Sequence, residues 1–319
     1  MKNVQKADKE VRQEIDLMEL FDRFGSNDKC RQYLEALRFP NGIKCTRCQS
    51  DKMSRIAKRN QFMCDNCKYQ FSAMAGTIFH DTHLPLTKWF AAVYLMCESK
   101  KGISANQLKR TLKISYKTAW YLSHRIREAL KTDPTERLGG IIEVDETYVG
   151  GKQSNMHGEA KKRSQAKPNK GKVIAIGALQ RDGHIKLERI ARAEQDVLHD
   201  FVVNQMAHDT EAVYTDNHRG YYDLWMTGVT HESVNHSTGE YVRGNVHTNS
   251  IENAFSLFKR SIVGAFHHIS EKHIDRYLDE FEFRFNNREN PYLFRDCILR
   301  LLSAENIEYK NLIQKSAGV

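Results

Sequence analysis

The sequence predicts a multidomain α/β protein, and three observations carry that expectation. Two CxxC pairs, Cys45/Cys48 and Cys64/Cys67, punctuate a short polar segment that could not build a core of its own. Residues 82–131 then take up helical periodicity and end before Asp133-Pro134. Beyond them, strand-like apolar runs at 141–149, 173–180, 184–191 and 211–215 precede helical stretches at 247–263 and 270–286, so strands come first and helices last. The expected regions are an amphipathic helical segment over 1–38, a cysteine-bearing module over 39–80, a helical module over 81–133, and an α/β domain over 134–319 that includes C-terminal helices.

Composition narrows the partners without naming one. The 49 Lys and Arg against 40 Asp and Glu leave a formal charge of +9, which favours polyanions. No run of about 18 apolar residues occurs, and the charged N-terminus does not suit a secretion signal, so a soluble, intracellular protein with no membrane partner is expected. Seven cysteines do not make a disulfide scaffold in a chain of 319 residues. In a reducing compartment the paired CxxC motifs point to metal, and Cys30, Cys97 and Cys297 are expected as small buried apolar residues.

The cysteine pairs are separated by 15 residues, a spacing that lets two knuckle turns present Cys45, Cys48, Cys64 and Cys67 to one tetrahedral Zn²⁺. A structural zinc ribbon follows, its order supplied by the metal. Unrelated redox or buried pairs are the competing reading. Seven basic residues over 44–72 (among them Lys44, Arg47 and Arg55) against Asp51 and Asp65 suit a phosphate-facing surface, although ribbons also bind proteins.

Within 102–130, Leu108 and Leu112 mark one buried face and Ala119, Leu122, Ile126 and Leu130 the next, with Ile114 in a tight turn between them. This is the pattern of a helix-turn-helix. Ser115 is placed to cap the second helix, and Tyr116, Lys117, Thr118 and Tyr121 project from its first turns, where a recognition helix meets base edges. Ser115, Tyr116, Lys117, Thr118 and Tyr121 are thus the candidate DNA-binding residues. Nine Lys or Arg from Lys100 to Lys131, against Glu128 alone, separate the pair from a neutral hairpin. A further basic stretch, 152–172, carries seven Lys or Arg and no hydrophobic period, and reads either as a solvated loop or as a phosphate-contacting arm.

Three carboxylates in the α/β region need explaining. Asp145 sits inside the strand-forming run IIEVDETYVGG, a costly position unless the charge is hydrated or coordinated; alternation puts Glu143 on its face and Glu146 on the other, so Glu143 is a rival ligand. Asp216 ends a second strand, where α/β sheets place chemistry, although it also suits a helix N-cap. Glu252 lies on a helix whose stripe is Ile251, Ala254, Phe255, Phe258 and Ile262, with Lys259 two turns further along a neighbouring stripe; the alternative is a capping box from Asn249 to Glu252. Three carboxylates and a cation suit phosphodiester chemistry, in which two Mg²⁺ or Mn²⁺ ions about 4 Å apart take hard oxygen ligands. Asp145, Asp216 and Glu252 are therefore the candidate catalytic metal ligands, with Lys259 on phosphate.

The order CxxC…CxxC, AGTIF, LPLTKWFAAVYL, the helix-turn-helix, DETYVGGK, YTDNHRGY and HTNSIENAFSLFKR resembles bacterial insertion-sequence transposases with a zinc ribbon and an ISXO-like DDE domain, over nearly the whole chain. The resemblance implies a ribonuclease H-like mixed sheet flanked by helices, with Asp145 on its first strand, Asp216 after the fourth and Glu252 on a later helix, accompanied by Lys259. The resemblance implies that some members carry Asn in place of Glu at the third acidic position, which makes Asn249 and Asn253 neighbours to watch, but Glu252 is present here with its Lys259. It also implies binding to the double-stranded terminal inverted repeats of an element, strand cleavage and transfer into target DNA, a homo-oligomer with the 270–304 helices as a candidate interface, and a cytoplasmic, nucleoid-associated place. A DNA-binding regulator without catalysis, or a metal-dependent nuclease that does not join strands, are the alternatives on the same architecture.

Overall fold

The computed structural model describes residues 15–131, 135–150 and 172–314. All but Lys172 of the basic 152–172 stretch lies outside these residues, as do the first part of the N-terminal helical segment and the Asp133-Pro134 boundary. Two compact units result, one formed by the described residues up to Leu130 together with those from Glu289 onward, the other running from Lys131 to Arg288.

In the first unit, the described part of the helical segment expected over 1–38 forms two helices, α1 (Leu17–Phe24) and α2 (Asn27–Arg38). The break falls at Gly25-Ser26, where the Ser26 hydroxyl accepts the Lys29 N–H at 3.2 Å and starts a new helix. A three-stranded antiparallel sheet follows, β1 (Met53–Ile56), β2 (Gln61–Cys64) and β3 (Gln70–Phe71). Its core is small: Phe62 and Phe71 with Cys45 and Cys64, flanked by Phe39 and Ile43. The helical module comprises α3 (Leu86–Glu98), α4 (Ala105–Leu112) and α5 (Tyr116–Ala129). Lys113, at φ 51°, turns the chain between the last two, and Leu108, Ala119, Leu122 and Ile126 are buried as the periodicity requires.

The C-terminal helices α9 (Leu293–Ser303) and α10 (Tyr309–Ile313), grouped in the sequence with the α/β region, lie instead in the first unit. Phe294 packs its ring 5.7 Å from Phe90 of α3, the Ile78 N–H donates to the Leu301 carbonyl, and the Cys97 and Cys297 sulfurs lie 2.8 Å apart. Phe294, Cys297, Ile298 and Leu301 are buried there, so the apolar face of this part of 270–304 is used within the chain. Cys30, Cys97 and Cys297 are all buried, as small apolar residues should be.

The second unit is a five-stranded mixed sheet in the order β6-β5-β4-β7-β8, made of β4 (Leu138–Val149), β5 (Val173–Gln180), β6 (Ile185–Ile190), β7 (Met206–Asp216) and β8 (Thr230–Val234). β4, β5 and β6 run antiparallel in turn, while β7 is parallel to β4 and β8 to β7. One face is covered by α6 (Gln195–Gln205) through Leu198, Phe201 and Val202. The other is covered by α7 (Asn249–Ser261) and α8 (Ile274–Asn286) through Ile251, Phe255, Phe258, Leu278 and Phe281. This is a ribonuclease H-like arrangement of mixed sheet and flanking helices. The order differs from strands first and helices last, because α6 intervenes between β6 and β7, and β8 follows them.

Candidate active site

The sheet brings two of the three carboxylates together by register. Glu143 pairs with Tyr214 as the last pair of the parallel β4–β7 ladder, and Asp145 and Asp216 each lie two residues further along, near enough for the Asp216 charge to act on Asp145. Asp216 is the last residue of β7. It does not cap a helix: the short helical turn at Arg219–Tyr221 is capped by the His218 ring, and Asp216 Oδ1 accepts the His218 N–H at 3.2 Å.

Glu252 arrives from above on α7. Opposite Asp145 on β5 stands Gly177, where an added Cβ would meet the Phe255 ring at 2.9 Å and Ile251 at 3.0 Å. The missing side chain lets α7 lie close on the sheet. The helix is capped at Thr248 rather than Asn249, which makes Glu252 its fourth residue and removes the capping box. Instead, Glu252 Oε1 accepts the Thr248 hydroxyl at 3.1 Å and lies 3.6 Å from His236 Nδ1. Its side chain keeps 42% of its surface exposed, open to a ligand.

Asp145, Glu146, Glu252, Lys259 and Arg260 line one groove. Burial, followed by the charges of Glu146, Asp216 and Glu252, pushes the Asp145 carboxyl up to about 7, against the pull of the Glu146 N–H it accepts at 2.8 Å. Glu146 is pushed up to about 7 as well, chiefly by burial and further by Asp216, with the Tyr221 hydroxyl acting the other way. His218 Nδ1 lies 4.0 Å from its Oε1. Glu146 lies on the opposite face of the strand, as alternation requires, beside Tyr221 of the α6-side core, yet it borders the groove and its charge acts on Asp145. Hard oxygen donors that repel one another in a partly buried groove suit a divalent cation, which would favour their ionised forms.

Glu143, the rival ligand, has a different surrounding. It is fully buried, and its oxygens accept the Ser250 and Ile251 N–H groups at 2.8 and 3.2 Å, the Ser250 hydroxyl at 3.1 Å and Arg181 Nε at 2.8 Å. Its lone pairs are taken.

In the ribbon, Sγ of Cys45 lies 3.6 Å from that of Cys67, and Sγ of Cys48 3.6 Å from that of Cys64. All four sulfurs fall within 4.8 Å of one another, and among the described residues this quartet is the group of three or more possible ligands that closes to that distance. Zinc–sulfur bonds of 2.3 Å arranged tetrahedrally put sulfurs about 3.8 Å apart, so the quartet fits one Zn²⁺. The Cys67 N–H directed at Cys64 Sγ leads the effects that lower that thiol to about 6.

On α5, Ser115 caps the helix through the Thr118 N–H at 3.0 Å, and the two hydroxyls bond each other at 2.8 Å. The Tyr121 hydroxyl donates to the Ile307 carbonyl at 2.5 Å, and its ring packs 5.5 Å from Tyr309 of α10. Ser115, Tyr116 and Lys117 are the exposed members of the predicted set; the Ser115 side chain is engaged in the cap, and Lys117 Nζ lies 4.5 Å over the Tyr309 ring. Tyr121 is thereby tied to the C-terminal segment, a contact between residues 186 apart that helical spacing does not reveal.

Known proteins resemble this chain at both modules. A family model described as an ISXO2-like transposase domain matches residues 137–286, and one described as a transposase zinc-ribbon domain matches 25–70. A Halobacterium salinarum protein, described as an uncharacterized protein in transposable element ISH50, is 28% identical over 272 residues, which cover 82% of this chain and 91% of that protein. An uncharacterized transposase-like protein of Haemophilus influenzae is 33% identical over 88 residues, 28% of this chain and 70% of its own length. Among solved structures, a chain from the simian T-cell lymphotropic virus intasome in complex with PP2A regulatory subunit B56 gamma is 12% identical, with a TM-score of 0.29 over 55% of this chain and 63% of that one, a likeness too small to carry an argument.

Proposed function

This chain belongs to the family of insertion-sequence transposases that join a zinc ribbon to an ISXO2-like domain, and we propose that it binds the terminal inverted repeats of its element and there cuts and joins DNA strands by two-metal-ion chemistry. The observation that carries this reading is the meeting of Asp145 and Asp216 on adjacent parallel strands beneath a helix that brings Glu252 and Lys259 to the Asp145 groove. Asp145, Asp216 and Glu252 would hold the ions, and the charges of Asp216 and Glu252 both act on Asp145. When bound, Mg²⁺ or Mn²⁺ would ease deprotonation of the attacking oxygen and stabilise the leaving one. The chain's own part is orientation: Lys259 and Arg260 border the same groove and would place the scissile phosphate by charge.

Recognition of the DNA ends falls to the ribbon and the helix-turn-helix. Tyr116 and Lys117, exposed on the first turn of α5, are the residues proposed to meet the duplex, while Ser115 and Thr118 hold the turn that presents them. Tyr121 contributes by fixing α5 against Ile307. Because two element ends must be handled together, a homo-oligomer is proposed. No helix among the described residues is long and apolar enough to cross a membrane.

Purified full-length protein with Mg²⁺ or Mn²⁺ should nick DNA carrying the element ends and join the freed strand to a target. Asp145→Ala should lose both reactions while retaining binding to the ends. Cleavage without joining would favour a nuclease, and binding without either reaction a regulator; unchanged activity in Asp145→Ala would sink the site.

A further inference from the structure

We infer that Glu143 is a positioning residue that sets where Glu252 stands over Asp145, an inference that rests on the carboxylate reading above. It lies two residues before Asp145 on β4 and makes contact with α7 one and two residues before Glu252. One buried carboxylate thus ties the strand bearing the first proposed ligand to the helix bearing the third.

The sequence of α7 leaves this task undone. A helix begins with four N–H groups that its own backbone cannot satisfy, and a Thr at the N-cap ordinarily accepts one of them. Thr248 makes no such bond; its hydroxyl turns to Glu252. The Ser250 and Ile251 N–H groups go to Glu143 Oε2 instead, so the cap comes from the sheet. A negative charge there also complements the helix dipole.

Glu143 is itself held. Arg181 Nε bonds its Oε1 at 2.8 Å, and the same guanidinium donates to the Asn245 carbonyl at 2.7 Å and the His247 carbonyl at 3.3 Å, in the segment that leads into α7. His247 Nδ1 lies 3.2 Å from Oε1. The Arg181 backbone N–H is bonded to the Ile141 carbonyl, closing the link back to β4. A buried carboxylate paired with a partly buried guanidinium is a poor way to gain stability, since an apolar pair of the same volume often serves as well. Its directionality is what an apolar pair lacks: three hydrogen bonds from α7 to a carboxylate that Arg181 holds fix the height and rotation of α7 on the sheet, and with them the reach of Glu252.

The test uses the full-length, zinc-loaded protein and Mn²⁺ as the probe, read by calorimetric Mn²⁺ binding and by the Mn²⁺ concentration giving half-maximal joining of pre-nicked ends. Glu143→Gln keeps the shape but loses the charge; Glu143→Asp keeps the charge and shortens the reach by one methylene. Groups that orient metal ligands typically matter about 10- to 100-fold in metal affinity. Both variants should therefore bind Mn²⁺ at least about ten-fold more weakly than wild type, with DNA affinity unchanged. Should Glu143→Gln fail to fold, Glu143→Asp decides alone. Wild-type Mn²⁺ affinity in a folded variant overturns the inference and leaves a merely structural pair. Asp145→Ala distinguishes the two failures: if it also binds Mn²⁺ as wild type does, the carboxylate site itself is misassigned.

Discussion

Replacing Asp145 with Asn should stabilise the protein at alkaline pH in the absence of Mg²⁺ and Mn²⁺, and leave it unchanged at acid pH. Burial and then the neighbouring carboxylates raise Asp145 from 3.8 to about 7, so the folded chain keeps a proton there that the unfolded chain has released. For a raised carboxyl the sign is opposite to that of an ion-paired one. Stability falls as pH climbs from about 4 to about 7, and the full deficit is present above that window. A shift of roughly three units at about 1.4 kcal/mol each sets a ceiling near 4 kcal/mol. Glu146 shares the same repulsion and its rise to about 7 is partly the same energy, so the gain expected for Asp145→Asn is about 1–2 kcal/mol. Asn is the right probe because its Oδ1 can still accept the Glu146 N–H, now 2.8 Å from Asp145. Urea denaturation of the zinc-loaded protein at about pH 4.5 and about pH 8, with opening of the sheet read from deuterium uptake by β4 and β5 peptides, measures the difference. Added Mg²⁺ at the higher pH should favour wild type and reverse the order. Equal protection of both proteins at the higher pH, or the same gain at both, would refute the electrostatic reasoning.

Two further outcomes follow from the geometry. Cys64→Ser should lower the zinc content from about one ion per chain to none and open the 44–72 segment to proteolysis, because the small core around Phe62 and Phe71 includes the ligand sulfurs themselves; a variant that still holds one zinc would contradict the quartet. Gly177→Ala should cost about 1–3 kcal/mol by overpacking, since the new Cβ would meet Phe255, Ile251 and Leu187 at 3.0 Å or less, and strand joining should fall with it; wild-type urea midpoint and rate would mean α7 has room to move.

Local features were legible in the sequence, and features that depend on distant packing were not. The cysteine quartet, the Ser115 cap and the strand β4 declare themselves within a few residues, because ligand spacing, cap chemistry and alternation are short-range rules. Helix α6 does carry a readable signal: Leu198, Phe201 and Val202, spaced three and one apart, form its buried face. β8 is five residues with mixed burial and offers almost no pattern. The return of α9 to the first unit rests on contacts such as Cys97 with Cys297, 200 residues apart, for which no local motif exists. Tyr121 likewise sits at a position that helical spacing offers to DNA, and only the arrival of Ile307 and Tyr309 shows it engaged.

The sharpest instance is the pair Glu143 and Asp145, which alternation cannot tell apart. Both stand on one face of one strand, and both are carboxylates in an apolar run. What separates them is the number of donors each meets. Glu143 accepts four hydrogen bonds, two from the start of α7, one from the Ser250 hydroxyl and one from Arg181, and so remains buried with its charge balanced. Asp145 accepts the N–H of the next residue and otherwise faces Glu146, Asp216 and Glu252, so that its charge is left seeking a cation. A strand carboxylate rich in donors holds the fold, and one poor in donors and surrounded by its own kind holds a metal. Where the N-terminus of α7 lands decides between the two roles, which is why the distinction becomes visible only once the helix is in place.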